Sequence, residues 1–589
     1  MVYASYVGSY ASLYPGLKED YGELFSGYRL AAKRIGAATS FQTANQIAEV
    51  SARLSEGMST IELQPASAQL FESIPKQQFK EINRLSKLTG AEISLHTAYS
   101  PTLDPAGFTE GGWNEAAREE AERRMLNIVE KGHELNPKGN VPVTFHASAI
   151  SAAEWRPGVP GEREMIAVVN PASGETGYIK RESSFDPETN KMKEYLPEEM
   201  LEINNQSHWK REMMNMQFYK KDADELLERS WQVIGPVWKD IVNEEGKLVN
   251  EEIKKLSEAQ KLALNEVINA QSFYQNIDAM FRGAYDEAYK YTPAQEKEKV
   301  IKRLGEIAEE RKKIVEGPPS LLRAGYDHLI NELKELPPPQ HLLPVEEFAK
   351  EKAATTLGNV AFKAYKKYGE NTPIVSVENV YPNMAFSRAE QLKGLIEESR
   401  RKFVENAVKE GISESKAKAD AEKLIGATWD IGHINMLRKY GYKEEEIIKE
   451  TKKIAPYVKH VHITDNFGFD DTHLPPGMGN VPVKKLMEKM EKAGYSSKAI
   501  IEAGPFAANF KTSPHPYALE ALGSPIYYEA AAPLWGQVKG MYGTYFTGYG
   551  NFLPEQHFSM YGGGFSALPS ELGGGVPGKG SRFSGTPME

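Results

Sequence analysis

The sequence predicts an α/β fold, a TIM (β/α)8 barrel that carries a large, mostly helical insertion after strand 4 and a Gly/aromatic-rich C-terminal tail. Eight short apolar runs alternate with amphipathic helical stretches, which is the order that such a barrel needs. Polar residues able to bind metals follow several of these runs, and a barrel displays its chemistry at the carboxyl ends of its strands. The segment between the fourth and fifth runs is far longer than the roughly 12 residues that a parallel crossover requires.

Turn residues and helical stretches separate the apolar runs. The first helix is expected over residues 43–57, where Gly57 closes it. The eight strands are expected at residues 34–40, 59–65, 91–99, 140–148, 372–380, 425–430, 458–464 and 498–504.

The chain divides into four parts on this interpretation. The barrel takes residues 34–149 and 341–504, interrupted by an insertion at 150–340 that opens with a hairpin and continues with long charged helices. Residues 1–33 form an N-terminal extension, and residues 505–589 form a C-terminal extension whose glycine-rich end is expected to be flexible. The insertion is acidic, with 35 Asp plus Glu against 27 Lys plus Arg. The insertion and the tail are the surfaces through which we expect any oligomer to form.

Composition narrows the chemistry. The chain has no cysteine, which excludes disulfides, thiol nucleophiles and cysteine-ligated metals, and leaves His, Asp and Glu as strong ligands. No stretch approaches the apolar length of a membrane span, and the first residues lack the basic start and apolar core of a signal peptide. We therefore expect a cytoplasmic protein with no membrane partner. The net charge of −10 offers no electrostatic footprint for nucleic acid over the whole molecule.

Nine potential metal ligands gather at the predicted strand ends. A single histidine at a strand end is more often structural than a ligand, but convergence of nine such residues favours a metal centre. Imidazole and carboxylate together suit zinc or manganese, and nine ligands exceed the capacity of one tetrahedral ion, which indicates two or three ions. Six of the ligands end different strands and three lie in the adjoining loops: His96, His146, Glu378, Asp430, His462 and Glu502, then His433, Asp471 and His473.

The motifs that carry these ligands, HTAY, FHAS, VEN, WDIGH, VHITD, DTH and IEAG, resemble the endonuclease IV family of the xylose isomerase-like TIM barrels. The resemblance covers roughly residues 34–149 and 345–504. It implies that three zinc ions hydrolyse the phosphodiester 5′ to an abasic site in DNA. It also implies catalytic roles for Glu378 and Glu502, and for Tyr99 beside the DNA.

The same resemblance implies how the ions are shared. The first ion would be held by His96, His146 and Glu378, and Glu378 would bridge to a second ion held by Asp430, His462 and Glu502. The third ion would be held by His433, Asp471 and His473.

Three departures from the family weaken the expectation of DNA as substrate. The usual Asp-Thr-Cys-His is Asp-Ile-Gly-His here, and the usual His-Leu-Asn-Asp is His-Ile-Thr-Asp. Residues 65–75 also contain no arginine where the family presents one to DNA. The expected substrate is therefore abasic DNA or a smaller phosphorylated or sugar substrate.

Two alternatives stay open. The loop after His462 also resembles the sugar isomerase and epimerase branch, in which one divalent ion polarises the substrate; Glu378, Asp430, His462 and Glu502 would hold it. The third hypothesis is a binding or assembly protein that kept the barrel scaffold without catalysis, since function depends on the site and not on the fold.

Overall fold

The computed structural model describes residues 30–522, apart from short gaps. The residues it leaves out within that range are 31, 41–42, 66–67, 98–102, 149, 187–189, 244–246, 294, 496–497, 511–512, 516 and 519–521. Tyr99, nearly all of the predicted N-terminal extension and most of the predicted C-terminal tail lie outside the described residues.

Eight parallel strands close into a barrel, as predicted, and strand β1 pairs with strand β8. Both faces of these strands are buried, because one face fills the barrel interior and the other packs against helices. The strands are β1 (Ile35–Ala38), β2 (Thr60–Leu63), β3 (Glu92–Thr97), β4 (Pro142–His146), β5 (Ile374–Glu378), β6 (Ile425–Asp430), β7 (Val458–Ile463) and β8 (Ala499–Ile501).

Helices follow the strands in the βα order of a TIM barrel. Several begin at clear caps; the helix from Glu115, for example, starts at Asn114, whose side chain accepts from the backbone of Ala116 and Ala117. The α-helices of this part of the chain are Gln46–Ser55, Ala68–Ser73, Lys76–Thr89, Glu115–Leu135, Val345–Tyr368, Ala389–Lys409, Glu414–Leu424, Ile431–Asn435, Glu444–Ile454, Val483–Lys492 and Gly504–Phe510.

A polar layer lies inside the barrel. The Thr144 and Thr428 hydroxyls are 2.8 Å apart, and the Thr428 hydroxyl donates to Ser376 Oγ at 2.7 Å. On the other side of the interior, Ser94 donates to Glu62 at 2.7 Å. Branched apolar side chains usually dominate such layers, so a hydroxyl and carboxylate layer marks an interior that supports polar groups at the carboxyl ends of the strands.

The described residues form two compact units. One combines residues up to Glu162 with those from Glu346 onward and contains the barrel; the other is Arg163–Val345. The second unit opens with an antiparallel hairpin of Arg163–Val169 and Thr176–Lys180, and its helices pack around a hydrophobic core of their own. Its other elements are the strands Glu182–Asp186 and Lys191–Tyr195, the two-residue strand Leu343–Pro344, and the α-helices Pro197–Ile234, Trp238–Ile241, Asn250–Lys254, Glu258–Tyr291, Lys297–Glu316 and Ser320–Lys334.

The helices of the insertion differ in two places from those that the hydrophobic periodicity of the sequence predicts. Periodicity predicts one helix over about 249–290, but the structure has two, because Ser257 caps a new helix through a reciprocal capping box with Gln260. The helix Ser320–Lys334 was not expected, and it begins directly after Pro319, a residue tolerated at a helix start. No helix in the described part of the chain is long and apolar enough to cross a membrane.

Candidate metal centre

The strand register brings the predicted ligands together at one end of the barrel. Glu378, the last residue of β5, lies opposite His146 of β4. Asp430, the last residue of β6, lies opposite His462 of β7. Side chains that share a face at the ends of neighbouring parallel strands are adjacent in space, so the carboxyl ends of β3 to β8 form one cluster of imidazoles and carboxylates.

The first group consists of His96, His146 and Glu378. Glu378 Oε2 lies 3.4 Å from His96 Nε2 and 3.5 Å from His146 Nε2. The two imidazole rings are tilted by 51°, with centroids 5.3 Å apart. One carboxylate oxygen therefore faces the ring nitrogens of two histidines, the arrangement expected for the first ion.

The second group uses the other oxygen of Glu378. His462 Nδ1 lies 2.7 Å from Glu378 Oε1 and 3.6 Å from Glu502 Oε1. Asp430 reaches the same end of the barrel, where its Oδ1 accepts from Gly432 N, at 2.6 Å, and from the Thr464 hydroxyl, at 2.9 Å. These hydrogen bonds orient the carboxylate and leave Oδ2 as the oxygen that would ligate an ion.

The third group consists of His433, Asp471 and His473. Asp471 Oδ2 lies 3.3 Å from His433 Nε2 and 2.7 Å from His473 Nε2. The opposite nitrogens of both rings are held by main-chain carbonyls: His433 Nδ1 by Asn379 O at 2.8 Å, and His473 Nδ1 by Glu502 O at 3.2 Å. Such outer contacts fix ring orientation in metal sites and direct the remaining nitrogen toward the ion.

The backbone of His473 is also unusual. Its φ is +46°, in the left-handed region that a non-glycine residue seldom adopts. Strain of this kind persists where surrounding contacts hold the residue, and it clusters at functional sites.

The donor set fits divalent cations. Glu378 Oε2, Asp430 Oδ2 and Asp471 Oδ1 are buried and make no hydrogen bond with any described residue. Burying such oxygens without a partner is costly, and a cation removes that cost. The nitrogen to oxygen separations of 3.4 and 3.5 Å in the first group, and of 3.3 Å between His433 and Asp471, also match ligand spacing around zinc, since tetrahedral bonds of about 2.0–2.1 Å place ligands about 3.4 Å apart; His473 and Asp471, at 2.7 Å, are at hydrogen-bond distance instead.

Electrostatics in the metal-free cluster follow from burial and mutual charge. Burial raises the pKa of Glu378, but the neighbouring His462 and His96 outweigh burial and hold that pKa well below its usual range. Burial lowers the pKa of His146 to about 3. Burial also acts to lower the pKa of His473, but the Asp471 carboxylate outweighs burial and raises the pKa of His473 to about 9. Metal-free protein at neutral pH thus holds a neutral His146 and a protonated His473.

These pKa shifts predict that metal binding releases protons. Burial opposes the proton on His433 too, but Asp430 and Asp471 raise the pKa of His433 well above its usual value, so both histidines of the third group lose a proton when they ligate an ion. Because the protonated, metal-free state dominates below pH 9, affinity should rise between pH 6 and 8.5, by up to about tenfold per pH unit for each proton released. Calorimetric zinc titrations at pH 7 in two buffers of different ionisation enthalpy measure the release. Affinity independent of pH would contradict it.

Sequence reasoning missed Glu62. It lies on β2, is fully buried, and its Oε2 is 2.8 Å from His460 Nε2 while its Oε1 is 2.9 Å from His462 Nε2. Glu62 therefore places a carboxylate oxygen against the far nitrogen of His462, whose Nδ1 faces Glu378 and Glu502. The motif STIELQP has the pattern of an ordinary strand. The only signal of this role in the sequence is that Glu62, a charged residue, occupies a strand position that faces the barrel interior. His460, two residues before His462 on the same strand, is buried.

Two further polar residues reach the centre without a sequence signal. Gln64 donates to Glu502 Oε1 at 3.0 Å. The Tyr381 ring packs edge-on against His433, with centroids 5.4 Å apart, and 38% of the residue is exposed. Tyr381 thus lies at the accessible side of the third group.

The two motif departures near Asp430 are linked in the structure. A Cβ at Gly432 would lie 1.8 Å from the Thr464 hydroxyl, so this position admits no side chain while Thr464 is present. Thr464 in turn donates to Asp430 Oδ1. The glycine of Asp-Ile-Gly-His therefore leaves room for the threonine of His-Ile-Thr-Asp, and the threonine hydroxyl orients the Asp430 carboxylate.

Part of the chain matches a known protein family. A family model described as "Xylose isomerase-like TIM barrel" matches residues 378–521, the part that runs from Glu378 beyond Glu502.

Curated relatives match only short stretches. An uncharacterized protein of Methanocaldococcus jannaschii is 36% identical over 80 residues, which are 14% of this chain and 26% of that protein. Fructoselysine 3-epimerase of Shigella flexneri is 31% identical over 78 residues, 13% of this chain and 27% of the epimerase. The chain thus spans about a quarter of the length of each relative.

The solved structures to which this chain shows some similarity include sugar epimerases. A D-tagatose 3-epimerase-like protein has 13% identity and a TM-score of 0.37, with 85% of this chain and 98% of that chain covered. D-psicose 3-epimerase of Clostridium cellulolyticum H10 has 7% identity and a TM-score of 0.36, with 83% and 96% covered. The closed eight-stranded barrel and the family match together identify a xylose isomerase-like TIM barrel domain in this chain.

Proposed function

We propose that this protein is a metal-dependent phosphodiester hydrolase that resembles endonuclease IV and holds two or three zinc-like ions. The observation that carries the proposal is the third group, since a sugar epimerase with one ion has no use for His433, Asp471 and His473. These three side chains meet through one carboxylate oxygen, and the ring nitrogens that face away from it are fixed by carbonyls.

The residues that would hold the ions are the nine predicted ligands. Glu378 is suited to bridge two ions, because its Oε1 faces His462 while its Oε2 faces His96 and His146. Divalent ions bound there would supply Lewis acidity that activates water and neutralises phosphoryl charge.

The chain's own residues prepare the site for that chemistry. Glu378, Asp430 and His462 are fully buried, which keeps bulk water from the inner side of the cluster and strengthens electrostatic interactions there. His146, with 21% of its side chain exposed, and His473, with 28%, lie on the accessible side, from which a substrate can approach. Burial raises the pKa of Glu502 in the metal-free cluster, and the nearby Glu378 and Asp430 add to that effect, so an ion that Glu502 ligates would have to displace its proton.

The decisive experiment is incision of a duplex with one abasic site, at low salt with zinc or manganese. We expect metal-dependent cutting that falls about 10³-fold in Glu502→Gln, because several kcal/mol of transition-state stabilisation depend on a complete cluster. Glu410→Gln, on an exposed surface pair with Lys366, is the matched control and should cut like wild type. Metal-loaded wild type that cleaves no phosphodiester would refute the proposal.

The second candidate is a sugar epimerase or isomerase, and the similarity to fructoselysine 3-epimerase favours it. It needs one ion at Glu378, Asp430, His462 and Glu502, the second group. Isomerisation or epimerisation of a ketose by the purified protein, with no effect of removing Asp471, would support this candidate over hydrolysis.

A further inference from the structure

A further cluster of two imidazoles and a carboxylate lies within the second compact unit. His208 lies on the helix Pro197–Ile234, Glu287 lies on the helix Glu258–Tyr291, and His341 follows the last helix of the unit. Glu287 Oε1 is 3.5 Å from His208 Nε2 and 3.4 Å from His341 Nδ1. One carboxylate oxygen therefore faces the ring nitrogens of two histidines, as in the first group of the barrel.

The separations within this triad match those between ligands of one metal ion. A charge-assisted N–H···O bond spans about 2.7–2.9 Å, whereas two ligands of a tetrahedral zinc ion lie about 3.4 Å apart, because each bond to the metal is about 2.0–2.1 Å long. The three ligand atoms all lie within 4.8 Å of one another. The side chains of His208, Glu287 and His341 are 27%, 20% and 32% exposed, so an ion can reach the triad from solvent.

The backbone that carries His341 is attached to the same two helices as the other members of the triad. On the first helix, Asn205 donates to Leu342 O at 3.0 Å and accepts from Leu342 N at 2.8 Å. At the end of the second helix, Tyr291 O accepts from Gln340 N at 2.8 Å. Since both neighbours of His341 are anchored, its backbone needs no ordering when a ligand binds, which reduces the entropy cost of binding.

The two imidazole rings of the triad are stacked, with centroids 3.7 Å apart and planes 15° from parallel. Two protonated rings at this distance would repel each other, which favours at least one neutral ring with a lone pair for a ligand. Parallel rings do not direct both lone pairs at one point, so coordination has to turn them out of the stack. His96 and His146 in the barrel already have such a tilt, 51°.

We propose that His208, Glu287 and His341 bind a divalent transition-metal ion of the zinc type, which takes no ligand from the barrel cluster. Imidazole nitrogen and carboxylate oxygen suit such an ion, and water fills the position that three protein ligands leave open. The ion cross-links two helices and the segment that follows the last helix of the unit. Because the ring stack must open first, the ion binds less tightly than ions in preformed groups, and it is therefore counted in protein equilibrated with free zinc.

The test combines ion counting with location of the ion in the full-length protein. Native mass spectrometry at one fixed free zinc concentration should find one ion fewer in His208→Gln/His341→Gln, and in Glu287→Gln, than in wild type. His328→Gln is the matched control, because it removes a histidine of the same unit that pairs with Glu310 at 3.1 Å, and it should keep the wild-type ion content. Crystals soaked in zinc should show an anomalous peak at the zinc edge, bonded to both imidazoles and Glu287, with the rings no longer stacked.

Two results would overturn this site. One is equal ion content in wild type and Glu287→Gln; the other is the absence of an anomalous peak between the two imidazoles. Glu287 would then be only the partner of a protonated imidazole. Glutamine retains the shape of the glutamate side chain, so Glu287→Gln decides the question if circular dichroism shows that the double variant fails to fold. A peak at the triad in protein whose barrel holds no ion would refute the proposed function and leave this site in place.

Discussion

Glu378→Gln should remove two ions from the protein and reduce metal-dependent phosphodiester hydrolysis by about 10³-fold or more. The two oxygens of Glu378 face different histidines, Oε1 toward His462 and Oε2 toward His96 and His146. Glutamine keeps the shape of the side chain but replaces one oxygen with a hydrogen-bond donor, which repels a cation. Elemental analysis of the purified variant should therefore find about one ion per chain, held by the third group.

A buried carboxylate outside the centre is the matched control for this variant. Glu450 is buried and pairs with Arg388 at 2.8 Å, so Glu450→Gln reproduces the loss of a buried charge without touching a ligand. It should retain the full ion content and most of the activity. Unchanged ion content in Glu378→Gln would show that the carboxylate bridges nothing, and the multinuclear interpretation would then fail.

Asp471→Asn should remove one ion and leave two. Asp471 Oδ2 is the atom that His433 and His473 share, so its loss separates the two imidazoles from their common partner. We expect phosphodiester hydrolysis to fall about 10²-fold or more, because one of the charges that stabilises the transition state is lost. The second group keeps all of its ligands, and its ion should remain bound.

The neighbouring Asp470 provides the control for this experiment. Asp470 is exposed, whereas only 7% of the Asp471 side chain is, so Asp470→Asn changes the same charge one residue away without altering the ligands. Its ion content and rate should equal those of wild type. If Asp471→Asn keeps every ion and loses no hydrolysis, the third group is structural, and the one-ion epimerase becomes the better account.

The sequence by itself determined the barrel and the edge at which the predicted ligands lie. Apolar runs of strand length alternate eight times with amphipathic helices, which is the order of a TIM barrel, and the closed parallel barrel buries both faces of these strands. Since the side-chain period of a strand is fixed, residues such as Glu378 and Asp430 at strand ends must lie at the same edge. Local pattern and global fold agree here, which is why these positions were predictable.

Only the tertiary structure decided what orients the ligands and what surrounds them. Glu62 is more than 300 residues from His462 along the chain, and their 2.9 Å contact arises because barrel closure brings distant strands face to face. The clash that a Cβ at Gly432 would make with Thr464 and the ring nitrogens held by main-chain carbonyls are likewise products of packing. Hydrophobic periodicity predicts the face of the strand on which a residue lies, but not which distant atoms it contacts. The orientation of each predicted ligand and the atom that it directs toward an ion therefore follow only from the folded barrel.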